Sequence, residues 1–145
     1  QMLWDRAEPS GFMKSLSQYP LPNTSPHEVL LQYGLGDAQV SWLAAQAIGR
    51  AAKAAMYSSN AQEHEEKFFG FEMLSDEMVV TGKSAIMGFD YKSPQAPENN
   101  IPPVEEGDTH SMPRKDTRAQ DMMGRFFLTG EIYNPCGGTC ISDPI

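Results

Sequence analysis

At 145 residues, 40% hydrophobic and 21% charged, the chain has the composition of one ordinary globular domain with a real core, and disorder along its whole length is not expected. Its 11 basic and 19 acidic side chains leave a formal charge of −8, the wrong sign for neutralising a phosphate backbone, so nucleic acid is a poor partner. The longest apolar runs, such as Val29-Leu30-Leu31, fall far short of the roughly 20 residues that cross a bilayer, so no membrane span is expected.

Gln1 stands where an initiator Met would, and residues 1 to 20 show neither the basic nor the apolar region of a secretory signal. The expectation is a piece cut from a longer polypeptide. Pro9, Gly11, Pro20, Pro22 and Pro26 mark residues 1–25 as a lead-in segment, interrupted by a short apolar helix around Phe12 to Leu16 with Ser10 as its cap. His27 to Tyr33 carries Val29, Leu30 and Leu31 in one run bounded by Pro26 and Gly34, the pattern of a strand buried on both faces of a parallel sheet.

A Gly-rich loop containing Asp37 follows, then Val40, Leu43, Ala44, Ala47, Ile48, Ala51, Ala52 and Ala55 at helical spacing, which predicts a helix running through Met56. Asp is a favoured N-cap, so Asp37 also suits the start of a helix at Ala38. The charged patch Glu63-His64-Glu65-Glu66-Lys67 reads as a solvated turn or helix end. Met78 to Thr81 and Ala85 to Tyr91 read as extended segments around Gly82-Lys83, with Ala85 to Phe89 a second central strand. Gly82-Lys83-Ser84 is a poor phosphate loop, because position 77 is Glu and a strand, not a helix, is expected next.

Between Ser93 and Asp108 a proline-rich, acidic stretch predicts an irregular surface loop that delivers His110. Pro113 precedes a final helix with an apolar face of Ala119, Met122, Met123, Phe126 and Phe127, capped by Asp116 and stopped by Gly130. In the tail, 131–145, the glycines of Cys136-Gly-Gly-Thr-Cys140 allow a turn tight enough for a disulfide. Reduced thiols are the bland alternative, and zinc would want four ligands where only this pair stands. A disulfide places the chain in an oxidising, extracellular type of compartment.

The run Val29-Leu-Leu-Gln-Tyr-Gly-Leu-Gly-Asp37-Ala-Gln-Val40 with its small-residue helix resembles the acid-bearing strand, loop and helix of α/β-hydrolases. Ala85 to Phe89, Asp108-Thr-His110 and the helix from Asp116 to Thr129 resemble that fold's last strand, histidine loop and closing helix, and the order Asp before His agrees. The resemblance implies an α/β fold class, with residues 1–145 as the C-terminal part of a doubly wound, mostly parallel sheet. It implies that His110 is the general base and Asp37 its orienter, with Asp108 the alternative acid.

No Gly-x-Ser-x-Gly elbow occurs, so the serine is expected on a companion polypeptide, made by proteolytic cleavage of the same precursor and joined as a heterodimer. Two strands and two main helices would be too few to close the core alone. An insertion near residues 60 to 80 is expected beside the cleft. The substrate would be a small-molecule or peptide ester or amide, and no cofactor or metal is implied. The competing expectation is a catalytically inert, hydrolase-like structural or interaction subunit that binds through its acidic loop.

Overall fold

Side chains of Ala85–Phe89 alternate between two hydrophobic clusters, and the architecture follows from that alternation. In the computed structural model, which describes residues 9–60, 69–93 and 108–142, all five of these residues are buried. Ala85, Met87 and Phe89 enter one cluster with Ala55, Tyr57, Ala119, Met122 and Ile132. Ile86 enters the other with Tyr33, Trp42 and Met56. A period of two with apolar residues on both sides is what a central strand with both faces covered requires.

In chain order the elements are α1 (Pro9–Ser17), β1 (Leu30–Gly34), α2 (Trp42–Ala51), β2 (Ala55–Tyr57), β3 (Glu72–Leu74), β4 (Val80–Thr81), β5 (Ala85–Phe89), α3 (Met112–Lys115), α4 (Thr117–Thr129) and β6 (Glu131–Ile132). Four strands form one sheet in the order β1-β5-β2-β3, with every pair parallel. Helix α2 contributes to one face and α4 to the other, an α/β arrangement of a mostly parallel sheet between helices. Strands β4 and β6 form a separate antiparallel pair.

Several elements differ from the sequence expectation. The helix predicted to run through Met56 ends at Ala51, Lys53 turns the chain at φ 53°, and Ala55–Tyr57 becomes a fully buried strand. Alanine runs satisfy a helical and an alternating period equally, and pairing of Ala55 and Met56 with β5 decides between them. The buried face of α2 is Trp42, Gln46 and Gly49, while Val40 and Leu43 stay half exposed. Gly49 explains the rotation: a Cβ there would lie 3.1 Å from Ile86 Cδ1 and from Phe71 Cε1, so the absence of a side chain lets the helix pack tightly against these two residues.

Strand β1 is half-buried over Leu30–Gln32 rather than buried on both faces, because among the described residues it is the outermost strand on its side. Ser10 lies inside α1 rather than before it, and Pro113 belongs to the separate one-turn helix α3. The stretch expected as an insertion supplies β3 to the sheet through residues 72–74, so the core contains more than two strands. The charged patch at 63–67 and most of the proline-rich loop lie outside the described residues. Gly82-Lys83-Ser84 leads into a strand, with Lys83 paired to Glu72 and the Ser84 hydroxyl accepting from the Val29 N–H at 3.0 Å.

The tail is built into the molecule. Cys136 and Cys140 form a disulfide with a Cα separation of 5.3 Å, and Cys140 is fully buried. The Cys140 carbonyl accepts from Asp90 N–H, and Ser142 N–H donates back to the Asp90 carbonyl, each at 2.8 Å. The tail thus forms a single parallel bridge, Ile141 to Asp90, just past the end of β5. No described helix is long and apolar enough to cross a membrane.

Asp116 caps α4 as expected, accepting from Arg118 N–H at 2.9 Å and from its guanidinium. Burial pushes this carboxyl up, but the hydrogen bonds and charge of Arg118, with the Tyr91 hydroxyl, hold it below the usual carboxylate range on balance. A carboxyl that ionises more readily folded than unfolded contributes fully above its unfolded pKa, near 4, and loses that contribution as pH falls through its lower folded value. Asp116→Ala should therefore cost about 1–2 kcal/mol in urea denaturation at pH 7. The gap from wild type should shrink steadily below about pH 4; a gap independent of pH would show that the carboxylate charge is not what stabilises the helix end.

Candidate active site

Asp37 and His110 reach each other because β1 and β5 are parallel neighbours in register, from Leu30 opposite Ala85 to Gly34 opposite Phe89. Both strands therefore deliver their following segments to the same end of the sheet. In open α/β sheets the crevice beyond the carboxyl ends of strands is where ligands bind. The hydrogen bond from Leu35 N–H to the Phe89 carbonyl, 2.9 Å, carries the β1–β5 pairing one residue past β1.

Two glycines let the loops approach. Gly34 faces Thr109 so closely that a Cβ would lie 2.8 Å from its Oγ1. Gly36 has φ +77°, a left-handed turn that side chains rarely adopt, and a Cβ there would collide with the Ser93 hydroxyl. Into this space fits Thr109, fully buried, whose hydroxyl donates to the Leu35 carbonyl at 2.9 Å. The residue before the histidine thus anchors the histidine loop to the end of the acid strand.

His110 Nδ1 lies 3.0 Å from Asp37 Oδ2 and 3.3 Å from Oδ1. Opposite a carboxylate acceptor, the proton of a neutral imidazole belongs on Nδ1, which gives Nε2 the lone pair. No hydrogen bond to Nε2 is formed among the described residues, and the imidazole is one-third exposed while the Asp37 side chain is 11% exposed. One ring nitrogen is therefore held and the other is presented. Asp37 is itself fixed, since its Oδ1 accepts from the backbone N–H groups of Gln39 and Val40, both at 2.8 Å.

The structure decides against the helix cap expected of Asp37 at Ala38. Asp37 closes the turn before α2, but the helix cap is Ser41, whose hydroxyl accepts from Leu43 N–H at 3.2 Å. The helix starts at Trp42 and not at Ala38. Asp37 has one oxygen free of backbone bonds, and that oxygen meets the imidazole.

Asp108, the alternative acid, is turned elsewhere. Its Oδ1 accepts from His110 N–H at 3.0 Å and from Ala38 N–H at 3.3 Å, and its Oδ2 accepts from the Gln39 amide at 2.7 Å. The Gln39 bond is the main reason its carboxyl lies below the usual range; slight burial opposes the shift, and the His110 and Ala38 N–H groups reinforce it. Asp108 thus clasps the two loops together while Asp37 orients the ring. Sequence reading missed Thr109 and Gln39 as members of this arrangement. Gly34 and Gly36 flanking Leu35 were the only sign that another segment packs closely there.

The arrangement can position an imidazole as a proton acceptor and stabilise the imidazolium that results. Among the described residues there is no cluster of three or more His, Cys, Asp or Glu side chains that could hold a metal ion. His27 lies away from the pair, with its backbone N–H donating to the Leu16 carbonyl at 2.8 Å. Trp42 is a core residue at 7% exposure.

Thr109→Val keeps the shape but leaves the Leu35 carbonyl without its donor, which should cost about 1–3 kcal/mol in urea denaturation. It should also broaden or shift the His110 ring signals in NMR, whereas a variant with unchanged ring signals would show that Thr109 does not hold the loop. No protein-family model, curated protein or solved structure matches this chain.

Proposed function

We propose that this chain supplies the acid, Asp37, and the base, His110, of a serine-hydrolase-type triad, with the serine on a companion polypeptide that carries the N-terminal part of an α/β-hydrolase-like fold. The observation that carries this reading is the 3.0 Å contact between His110 Nδ1 and Asp37 Oδ2 beyond the carboxyl ends of two adjacent parallel strands. An acyl-transfer base needs an oriented imidazole with an accessible Nε2. In the proposed reaction Nε2 accepts the serine proton as the hydroxyl attacks an ester or amide carbonyl, and then returns it to the leaving alcohol or amine. Asp37 remains ionised and stabilises the imidazolium. The oxyanion hole lies with the serine on the companion.

The disulfide fits an extracellular or other oxidising compartment. A second reading, an inert hydrolase-like subunit, is favoured by one observation: no hydroxyl or thiol of the described residues hydrogen-bonds to His110 Nε2.

A fluorophosphonate probe applied to the chain with its companion separates the two. Labelling should fall on a serine of the companion and disappear with His110→Ala. Asp37→Asn should leave the fold intact and lower turnover by roughly 10⁴-fold, because an amide stabilises neither the tautomer nor the charge. Absence of labelling in a folded wild-type assembly would establish the inert subunit.

A further inference from the structure

Strand β1 is the outermost strand on its side among the described residues, and its backbone points in two directions. The Val29 carbonyl accepts from Ala85 N–H, and Leu35 N–H donates to the Phe89 carbonyl, each at 2.9 Å. In a parallel ladder alternate residues of a strand direct their backbone groups to the same neighbour. Val29, Leu31, Tyr33 and Leu35 therefore face β5, and the backbone groups of Leu30, Gln32 and Gly34 face out of the sheet.

Open edges of soluble proteins are commonly blunted by charge, proline, bulges or a covering segment. Leu30–Gly34 contains neither a charge nor a proline, and its pairing with β5 runs without a bulge.

Beside this edge lies an apolar trough made of two adjoining cavities of about 360 and 510 Å³, which share Gln32 and Met123. Leu16, Phe126 and Phe127 line one end, and Pro113, Arg114 and Gln120 the other. Met123 is 40% exposed and Phe127 75%. These residues belong to the apolar face expected of α4, of which only Ala119 and Met122 are fully buried. Ala119, Met122 and Phe126 of that face pack against the core, while Met123 and Phe127 stand over the trough.

The outward backbone groups recur every second residue, about 6.6 Å apart, a spacing matched by another extended chain. A second copy would bring together two chains of charge −8, whose repulsion opposes association, whereas a neutral or basic companion meets none. We infer that the outer edge of β1 and the trough below it receive a β-strand of a companion polypeptide, with apolar side chains at alternate positions turned toward Met123 and Phe127. The source of that strand rests on the split-hydrolase reading; the seat itself rests on the ladder and the trough.

Residue-resolved amide exchange on the intact assembly tests the seat. Leu30, Gln32 and Gly34 should exchange about as slowly as Leu31 and Tyr33; exchange about 100-fold faster at the first three overturns the proposal. A photo-crosslinking benzoylphenylalanine in place of Phe127 then identifies the occupant. Attachment to a companion segment with alternating apolar residues supports the inference, and attachment to a second copy of this chain, or none at all, overturns it. Fluorophosphonate labelling of the same sample keeps the two readings apart: a protected, cross-linked edge without labelling retains the strand and removes the hydrolase, and labelling with a rapidly exchanging edge does the reverse.

Discussion

The parallel register of β1 and β5 is the constraint on which the site depends. An antiparallel pair would send the segments after the two strands to opposite ends of the sheet, roughly 17 Å apart for strands of five residues. Parallel pairing sends both to one end, with strand axes only about 5 Å apart. Parallel ladders are slightly weaker per residue than antiparallel ones, and their crossover connections call for helices on the sheet faces. The same pairing that gathers Asp37 and His110 therefore demands the two hydrophobic clusters, one against α2 and one against α4.

Within that frame the loops are fixed by hydrogen bonds that contribute position. The Thr109 bond to Leu35 and the Asp108 bonds to Ala38 and Gln39 tie residues 35–40 to residues 108–110, while the Asp37 bonds to Gln39 and Val40 hold the first loop in its own turn. Each is worth only about 1 kcal/mol net. Together they leave the imidazole one direction in which to present Nε2. The division of labour between the carboxylates follows from chain distance: Asp108 is two residues from His110, close enough to bond its backbone N–H. Asp37 comes from the other strand and reaches the ring.

Some of this was legible in the sequence and some was not, for physical reasons. Ala85–Phe89, the cap at Asp116 and the stop at Gly130 were readable because each depends on local chemistry: an apolar run, a short acceptor side chain, a left-handed glycine. The convergence of Asp37 and His110 was inferable from their places after two strands, though only the resemblance to a known fold made those strands neighbours. β2 and β3 were missed because three-residue strands carry too little pattern, and alanines hid the end of α2. The buried face of α2 was misread because a glycine and a glutamine, Gly49 and Gln46, occupy positions where hydrophobic periodicity looks for large apolar residues.

The open edge and the acid–base pair are linked through β1 itself. Asp37 follows the strand whose outer backbone groups are unpaired within the sheet, so whatever covers that edge lies next to the carboxyl end that bears the acid. A strand added in parallel would end within about 5 Å of β1, and its following loop would emerge at the same end as Asp37 and His110. One added antiparallel would begin there instead and bring the loop that precedes it. In both orientations a strand seated on β1 would bring a connecting segment to the end of the sheet that bears Asp37 and His110. Leu30–Gln32, half-buried at the edge of the described sheet, therefore belong to the same strand that delivers Asp37 to its carboxyl end.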